Sequence, residues 1–259
     1  MSEVLKLEKR GSTALLTLNN PPAHTWTPES LMELIDIVGD LNADTENRAL
    51  VITGDGEKFF SAGADLTRFN HDDKGKAFEF SQAFGRAFEV LTNYRGVSIA
   101  AINGFAMGGG LELALACDIR IASENAQMAL PEAAVGLLPC GLGTQHLGWL
   151  VGEQWAKRMI LLNERLKSDK ALEIGLVSEV VSAGSVVDKA LELAAKAEGT
   201  SPTASVYCKE LVMAARNQPL ASLFEKEREL FVRLWNDGNQ KEGVSAFLEK
   251  RKPEWKTVS

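Results

Sequence analysis

Apolar and charged residues alternate along the opening MSEVLKLEKR, and an apolar ALLTL follows at 14–18. The pattern predicts two strands, 4–8 and 14–18, turning at Lys9–Ser12. Between 28 and 42 the period changes: Leu31, Leu34, Ile35, Val38 and Leu41 recur at helical spacing behind Thr27 and Pro28. A threonine N-cap followed by proline at the first helical position marks that start. Short apolar runs predict buried strands at 49–56 (ALVITGDG), 98–103 (SIAAIN), 119–123 (IRIAS) and 176–181 (LVSEVV). A helical stretch is expected from about 74 to 94, and another after the glycines of GFAMGGG at 104–110.

Beyond about residue 184 the pattern is helical throughout, at 185–198, 203–216, 219–235 and 240–250. Strands alternating with helices in front and helices alone behind predict an α/β core with a helical C-terminal region. The division expected is a core over 1–199 and a helical piece over 200–259.

Composition narrows the chemistry. The chain has 259 residues, of which 45% are hydrophobic, enough to bury a large core. Its apolar stretches are broken well short of the roughly 18 residues that a membrane span requires. The charge of −7 argues against nucleic acid as a partner, because phosphate contacts need a basic face. Cys117, Cys140 and Cys208 are odd in number and far apart, and His24, His71 and His146 do not cluster. Neither a disulfide framework nor a metal site is expected, and the absence of a signal pattern points to the cytoplasm.

Three segments have residues suited to chemistry. In GGGLELALAC the glycine run exposes backbone N–H groups at a helix start, where they suit an oxyanion. The same glycines also suit a tight turn or close packing. Glu112 is the lone charge before Asp118 in an otherwise apolar helix, and burying an unpaired carboxylate costs several kcal/mol. A capping role at the helix start is the alternative. FSAGADL at 60–66 is a loop of small residues that lets a ligand approach the backbone, or a plain strand-to-helix connection. In ALPEAAVGLLP, 129–139, Glu132 follows Pro131 in an apolar setting, as a functional carboxylate or a helix cap.

Taken in order, SAGADL, AINGFAMGGGLELALACDIRIA, LPEAAVGLLP and GLGTQHL resemble the crotonase superfamily, and within it the enoyl-CoA hydratases. The resemblance runs from LTLNNPP to FLEKRKPEW. It implies a superhelix of repeated ββα units with a helical C-terminal trimerisation region, in homotrimers often paired as hexamers. The implied substrate is an acyl-CoA thioester, with coenzyme A as part of the substrate, no further cofactor and no metal.

By motif position the N–H groups of Ala64 and Gly109 would form an oxyanion hole. Glu112 would position and activate water, and Glu132 would exchange the proton at C2. The same carry-over puts Ala23, Ala62, Asp65, Leu66, Pro131, Cys140, Phe247 and Lys250 at substrate contacts, the last two commonly reached from a neighbouring subunit. The stretch 67–82 would be a flap over the acyl chain. Two glutamates favour hydration over 3-enoyl to 2-enoyl isomerisation, and over a non-catalytic scaffold.

Some residues depart from the family pattern. NNPPAHTWT puts His24 and Trp26 where smaller side chains are usual, to reshape the ligand edge or to fill the core. PCGLGTQHL puts Cys140 in place of a glycine and His146 in place of an arginine, the histidine at a surface or interface.

Overall fold

The computed structural model describes residues 3–257. Two strands, β1 (Leu5–Arg10) and β2 (Thr13–Leu18), form an antiparallel hairpin as their alternation predicts. Helix α1 (Pro28–Ala43) starts where expected: the Thr27 hydroxyl accepts the Ser30 N–H at 3.3 Å, and Ser30 Oγ accepts the Thr27 N–H at 3.0 Å. This reciprocal cap satisfies two N–H groups that the first helical turn leaves free.

A unit of two strands and a helix then repeats three times. Its members are β3 (Ala49–Gly54), β4 (Phe59–Ser61) and α2 (Lys74–Thr92); β5 (Val97–Ile102), β6 (Phe105–Met107) and α3 (Gly109–Ala116); β7 (Ile119–Ser123), β8 (Gln127–Ala129) and α4 (Gly143–Leu161). After α4 come β9 (Leu166–Lys167), α5 (Ser168–Glu173) and β10 (Glu179–Val181). The first strand of each unit joins one sheet, in the order β1-β2-β3-β5-β7-β10. The second strand joins another, in the order β4-β6-β8-β9. Each unit therefore crosses from one sheet to the other, and the stack winds as a superhelix.

The period of two along the central strands divides their side chains between two apolar clusters. Leu50, Ile52, Ala100, Ile102 and Ala122 face the main core with α1, α2 and α3. Ala49, Val51, Ile99, Ala101 and Ile121 face α6 (Val186–Ala195) instead. Both faces of these strands are covered, which explains their continuous apolar sequence.

The C-terminal helices are α7 (Pro202–Ala214), α8 (Leu220–Arg233) and α9 (Asn239–Glu249). Helix α7 is tied to the sheet by Lys209, whose ammonium donates to the carbonyls of Tyr94 and Gly96 and pairs with Asp118 at 2.7 Å. The predicted strand at 176–181 is shorter than expected. Leu176 and Val177 are buried in the main core, while the Leu176 N–H bonds back to Ala171, so pairing starts at Glu179.

Candidate active site

Helix α3 is buried on all sides, and Glu112 with it, at 2% exposure. It begins inside the glycine run. Gly108 has φ +54°, a left-handed value that glycine adopts without strain, and its own N–H donates to Ala129 O at 2.9 Å. The Glu112 carboxylate is not left bare. Its Oε1 accepts N–H groups from Gly141 at 2.8 Å and Gly143 at 2.9 Å, on the turn that starts α4. A Cβ at Gly143 would stand 2.7 Å from that same oxygen, so only glycine lets the carboxylate in. Burial, with the neighbouring charge of Glu132, pushes Glu112 up to about 7, against the pull of the two amides.

Glu132 opens a short 3-10 turn, Glu132–Val135, after β8. Its carboxyl lies against Gly108, where an added Cβ would meet Oε1 at 3.0 Å. The other oxygen, Oε2, is buried and has no hydrogen-bond partner. Burial alone drives Glu132 up to about 7. The two carboxyl groups interact, so they titrate as a pair.

Two N–H groups face the same space. Trp26 pairs with the loop after β4 by donating to Gly63 O and accepting from Asp65 N, at 2.8 and 3.2 Å. Bonding both neighbours of Ala64 on one side turns the Ala64 N–H to the other. Gly109 opens α3, and its N–H has no acceptor within the helix. The loops that carry them touch: a Cβ on Gly63 would stand 2.9 Å from Gly109 N and 2.6 Å from Met107 O. A pair of free donors at a helix N-terminus can hold a carbonyl oxygen that gains negative charge.

A cavity of about 490 Å³ brings these groups together. Ala62, Ala64, Gly108, Gly109, Glu112, Pro131, Glu132 and Cys140 line one part, while Phe69, Val135, Leu137 and Leu138 add apolar wall. The Cys140 thiol is pushed up to about 12 by burial and by both glutamates, so it stays protonated at neutral pH and is no nucleophile there.

A family model described as enoyl-CoA hydratase/isomerase matches residues 8–258. The chain belongs to this family. Among similar proteins, the short-chain-enoyl-CoA hydratase of Clostridium acetobutylicum is 37% identical over 249 residues, which cover 96% of this chain and 95% of that one. The 2,3-dehydroadipyl-CoA hydratase of Escherichia coli is also 37% identical, with 99% of each chain covered. The solved structure of Pseudomonas aeruginosa DspI superposes with a TM-score of 0.96 at 57% identity, covering 98% of this chain and 97% of that one. An enoyl-CoA hydratase from Bacillus anthracis superposes with a TM-score of 0.94 at 32% identity, covering 98% and 100%. The crotonase fold expected from the motifs is thus the fold observed.

In this cavity the structure assembles six of the ten residues outside the glutamate pair that the sequence singled out. Ala62, Ala64, Leu66, Gly109, Pro131 and Cys140 line it. Ala23 stands behind the loop, its carbonyl accepting the Ala62 N–H at 2.9 Å. Asp65 caps the short turn Leu66–Phe69 through Thr67 rather than facing the cavity. Phe247 and Lys250 end α9, outside the cavity, and Phe247 is 83% exposed. Trp26 is a core residue, 2% exposed and packed edge-on against Phe88, so it does not shape the ligand edge. His146 is not a surface residue: it is buried, with Nδ1 at 2.9 Å from Leu115 O.

Two groups of residues at the cavity were missed. Gly141 and Gly143 hold Glu112 from 29 and 31 positions away, a pairing with no sequence periodicity. Asn163 and Arg165 also line the cavity, from the connection between α4 and β9.

Proposed function

We propose that this family member is an enoyl-CoA hydratase that adds water across the 2,3 double bond of a 2-enoyl-CoA thioester. The observation that carries the reading is the unequal setting of two carboxyl groups in one cavity. Glu112 accepts two N–H bonds on a single oxygen, which favours its ionised form; Glu132 Oε2 has no partner, which favours its protonated form. Together they hold one proton.

The thioester carbonyl sits at the N–H groups of Ala64 and Gly109, which take up the charge as C2 becomes enolate-like, each donor contributing about 3 kcal/mol. Glu112 orients water and takes its proton as the oxygen bonds to C3. Glu132 gives its proton to C2. One proton enters the pair and one leaves, so the pair holds a single proton before and after, on opposite members. Exchange with water restores the starting state. Proton transfers of this kind contribute about 10²–10⁴-fold each. No metal has a part in this scheme, and coenzyme A enters only as part of the substrate.

The reading includes association of copies of the chain, as trimers or hexamers. Phe231, Val232 and Trp235 at the end of α8, and Phe247 and Leu248 on α9, are all more than half exposed, large apolar side chains that association would cover. Light scattering of the purified protein measures the assembly.

The activity itself is tested by following loss of the conjugated thioester's ultraviolet absorbance on crotonyl-CoA, with wild type, Glu112→Gln and Glu132→Gln in parallel. Turnover by the wild type that both variants lose supports the hydratase. A wild type inert on short and long 2-enoyl chains alike, yet active in moving a 3-enoyl double bond, would make the protein an isomerase.

A further inference from the structure

Away from the glutamates, the first strands of the three units enter the six-stranded sheet side by side. Strands β3, β5 and β7 run parallel, with Ala49 in register with Val97 and Ile99 with Ile119. The residues just ahead of them, Arg48, Arg95 and Asp118, therefore come to one edge of the sheet. Helix α7 lies across that edge, held by Lys209, and a second cavity of about 360 Å³ is left between them. It shares no lining residue with the catalytic cavity. Val97 and Ile119 from the strands and Val206 and Met213 from α7 give it apolar walls. Arg48 and Arg95 line it as well.

These two arginines are half-buried and lack a counter-charge. Arg48 Nη2 donates to Thr200 O at 2.7 Å and Arg95 Nη2 to Asp44 O at 2.8 Å, both backbone carbonyls. Arg95 Nε is a buried donor with no acceptor. Neither guanidinium forms an ion pair among the described residues. The acids around them are engaged elsewhere: Asp118 by Lys209, Asp44 by Lys9, and Glu198 by the Ser12 hydroxyl at 2.6 Å. Burial, and after it the charge of Arg95, holds Arg48 below its ordinary value; Glu46 and Glu198 each count for less than Arg95 does. Two like charges at one cavity, with a buried N–H left over, cost free energy that a bound anion would return. The fold keeps them together in a chain whose net charge is −7.

We propose that this second cavity binds a small organic anion, its carboxylate or phosphate head at Arg48 and Arg95 and its apolar body against Val97, Ile119, Val206 and Met213. Carboxylate and phosphate both accept paired N–H bonds from a guanidinium, and Arg95 Nε supplies one that the fold leaves free. The volume falls within the ~300–1,000 Å³ of small-molecule sites, which combine apolar walls with a few placed polar groups. One wall is sheet and the other is α7, so an occupant also fastens the start of the helical C-terminal region to the core.

The test is calorimetric titration of the full chain with octanoate, octyl phosphate and uncharged octanol, in wild type, R95Q, R95K and M213W. Wild type should bind one of the two anions at one per chain, and the tighter of them identifies the head group. Loss of the guanidinium in R95Q should weaken that binding roughly 10- to 100-fold, with partial rescue in R95K. M213W keeps both charges and fills the apolar end, so it should lose the octyl anions even if R95Q fails to fold. Neither substitution touches the catalytic cavity, so turnover of crotonyl-CoA should stay within about threefold of wild type. A folded wild type that binds neither anion would overturn the proposal. So would binding that R95Q and M213W leave unchanged, which would put the ligand in the catalytic cavity. Octanol bound as tightly as the anions would remove the role given to the arginines and overturn it too.

Discussion

Around Glu112 the chain supplies two N–H donors, from Gly141 and Gly143, whereas around Glu132 it supplies none to Oε2. Both carboxyl groups are nevertheless pushed up to about 7. At Glu112 burial and the charge of Glu132 work against the two amides; at Glu132 burial works almost unopposed. The comparison teaches that equal titration does not mean equal role. The group with two donors from another turn is suited to staying ionised while it holds water, and the group with one bare oxygen to carrying the proton.

The sharpest way to break this comparison is to remove each carboxylate in turn. Glu112→Gln and Glu132→Gln should each lower kcat on crotonyl-CoA by about 10²–10⁴-fold, with KM changed far less, by steady-state kinetics. If one variant keeps near-wild-type turnover, the pair does not act as a pair.

A smaller blow leaves both acids in place and disturbs only the Glu112 side. In Gly143→Ala the new Cβ meets Glu112 Oε1 at 2.7 Å and must push the carboxylate off its two donors. A displacement near 1 Å costs on the order of 100-fold in kcat. The wild-type acidic limb should also move to higher pH, because an anion that loses its donors is harder to form. Unchanged kinetics in this variant would mean that the turn yields and the donors do not matter.

Stability offers a third comparison. Between 4.5, the ordinary carboxyl value, and about 7, the folded chain keeps protons that the unfolded chain has released. Folding is then favoured at the acidic end, and the contribution is lost as pH rises through this window. Glu132→Gln removes a buried carboxyl whose own backbone N–H offsets the cost of burial only in part, so it should gain on the order of 2 kcal/mol over wild type at pH 8 and little at pH 4.5. Denaturant midpoints at the two pH values measure the difference. A gain equal at both would place the cause in packing and not in the charge.

The smallest effect concerns the thiol between the acids. With Cys140 held near 12, Cys140→Ala should change kcat by less than about threefold, and iodoacetamide at pH 8 should leave that residue unmodified while the exposed Cys208 reacts. Peptide mass spectrometry after alkylation distinguishes the two.

How much of this was legible depended on length and on distance along the chain. Strands such as Ala49–Gly54 and Val97–Ile102 have six residues and are covered on both faces, so burial wrote itself into the sequence as an apolar run. The second sheet did not announce itself. Phe59–Ser61, Phe105–Met107 and Gln127–Ala129 have three residues each, too few to show a period of two, yet they set the order of every group in the site. The glutamates were legible because a charge in an apolar helix, or behind a proline in an apolar stretch, stands out against its neighbours. Their partners were not. The donors to Glu112 are backbone groups of glycines, which look like any turn. Helix α4 was also unread, since Gly143, Gly148 and Gly152 interrupt its pattern and Gly152 breaks its helical backbone at φ +76°.

The most direct test of the unequal pair is the dependence of kcat/KM on pH, from 5 to 9, for crotonyl-CoA hydration. The wild type should give a bell, rising as the pair loses its first proton and falling as it loses the second. Residual activity in Glu112→Gln should lack the rise, and that in Glu132→Gln should lack the fall. A single limb in the wild type, or the same limb missing from both variants, would contradict the account.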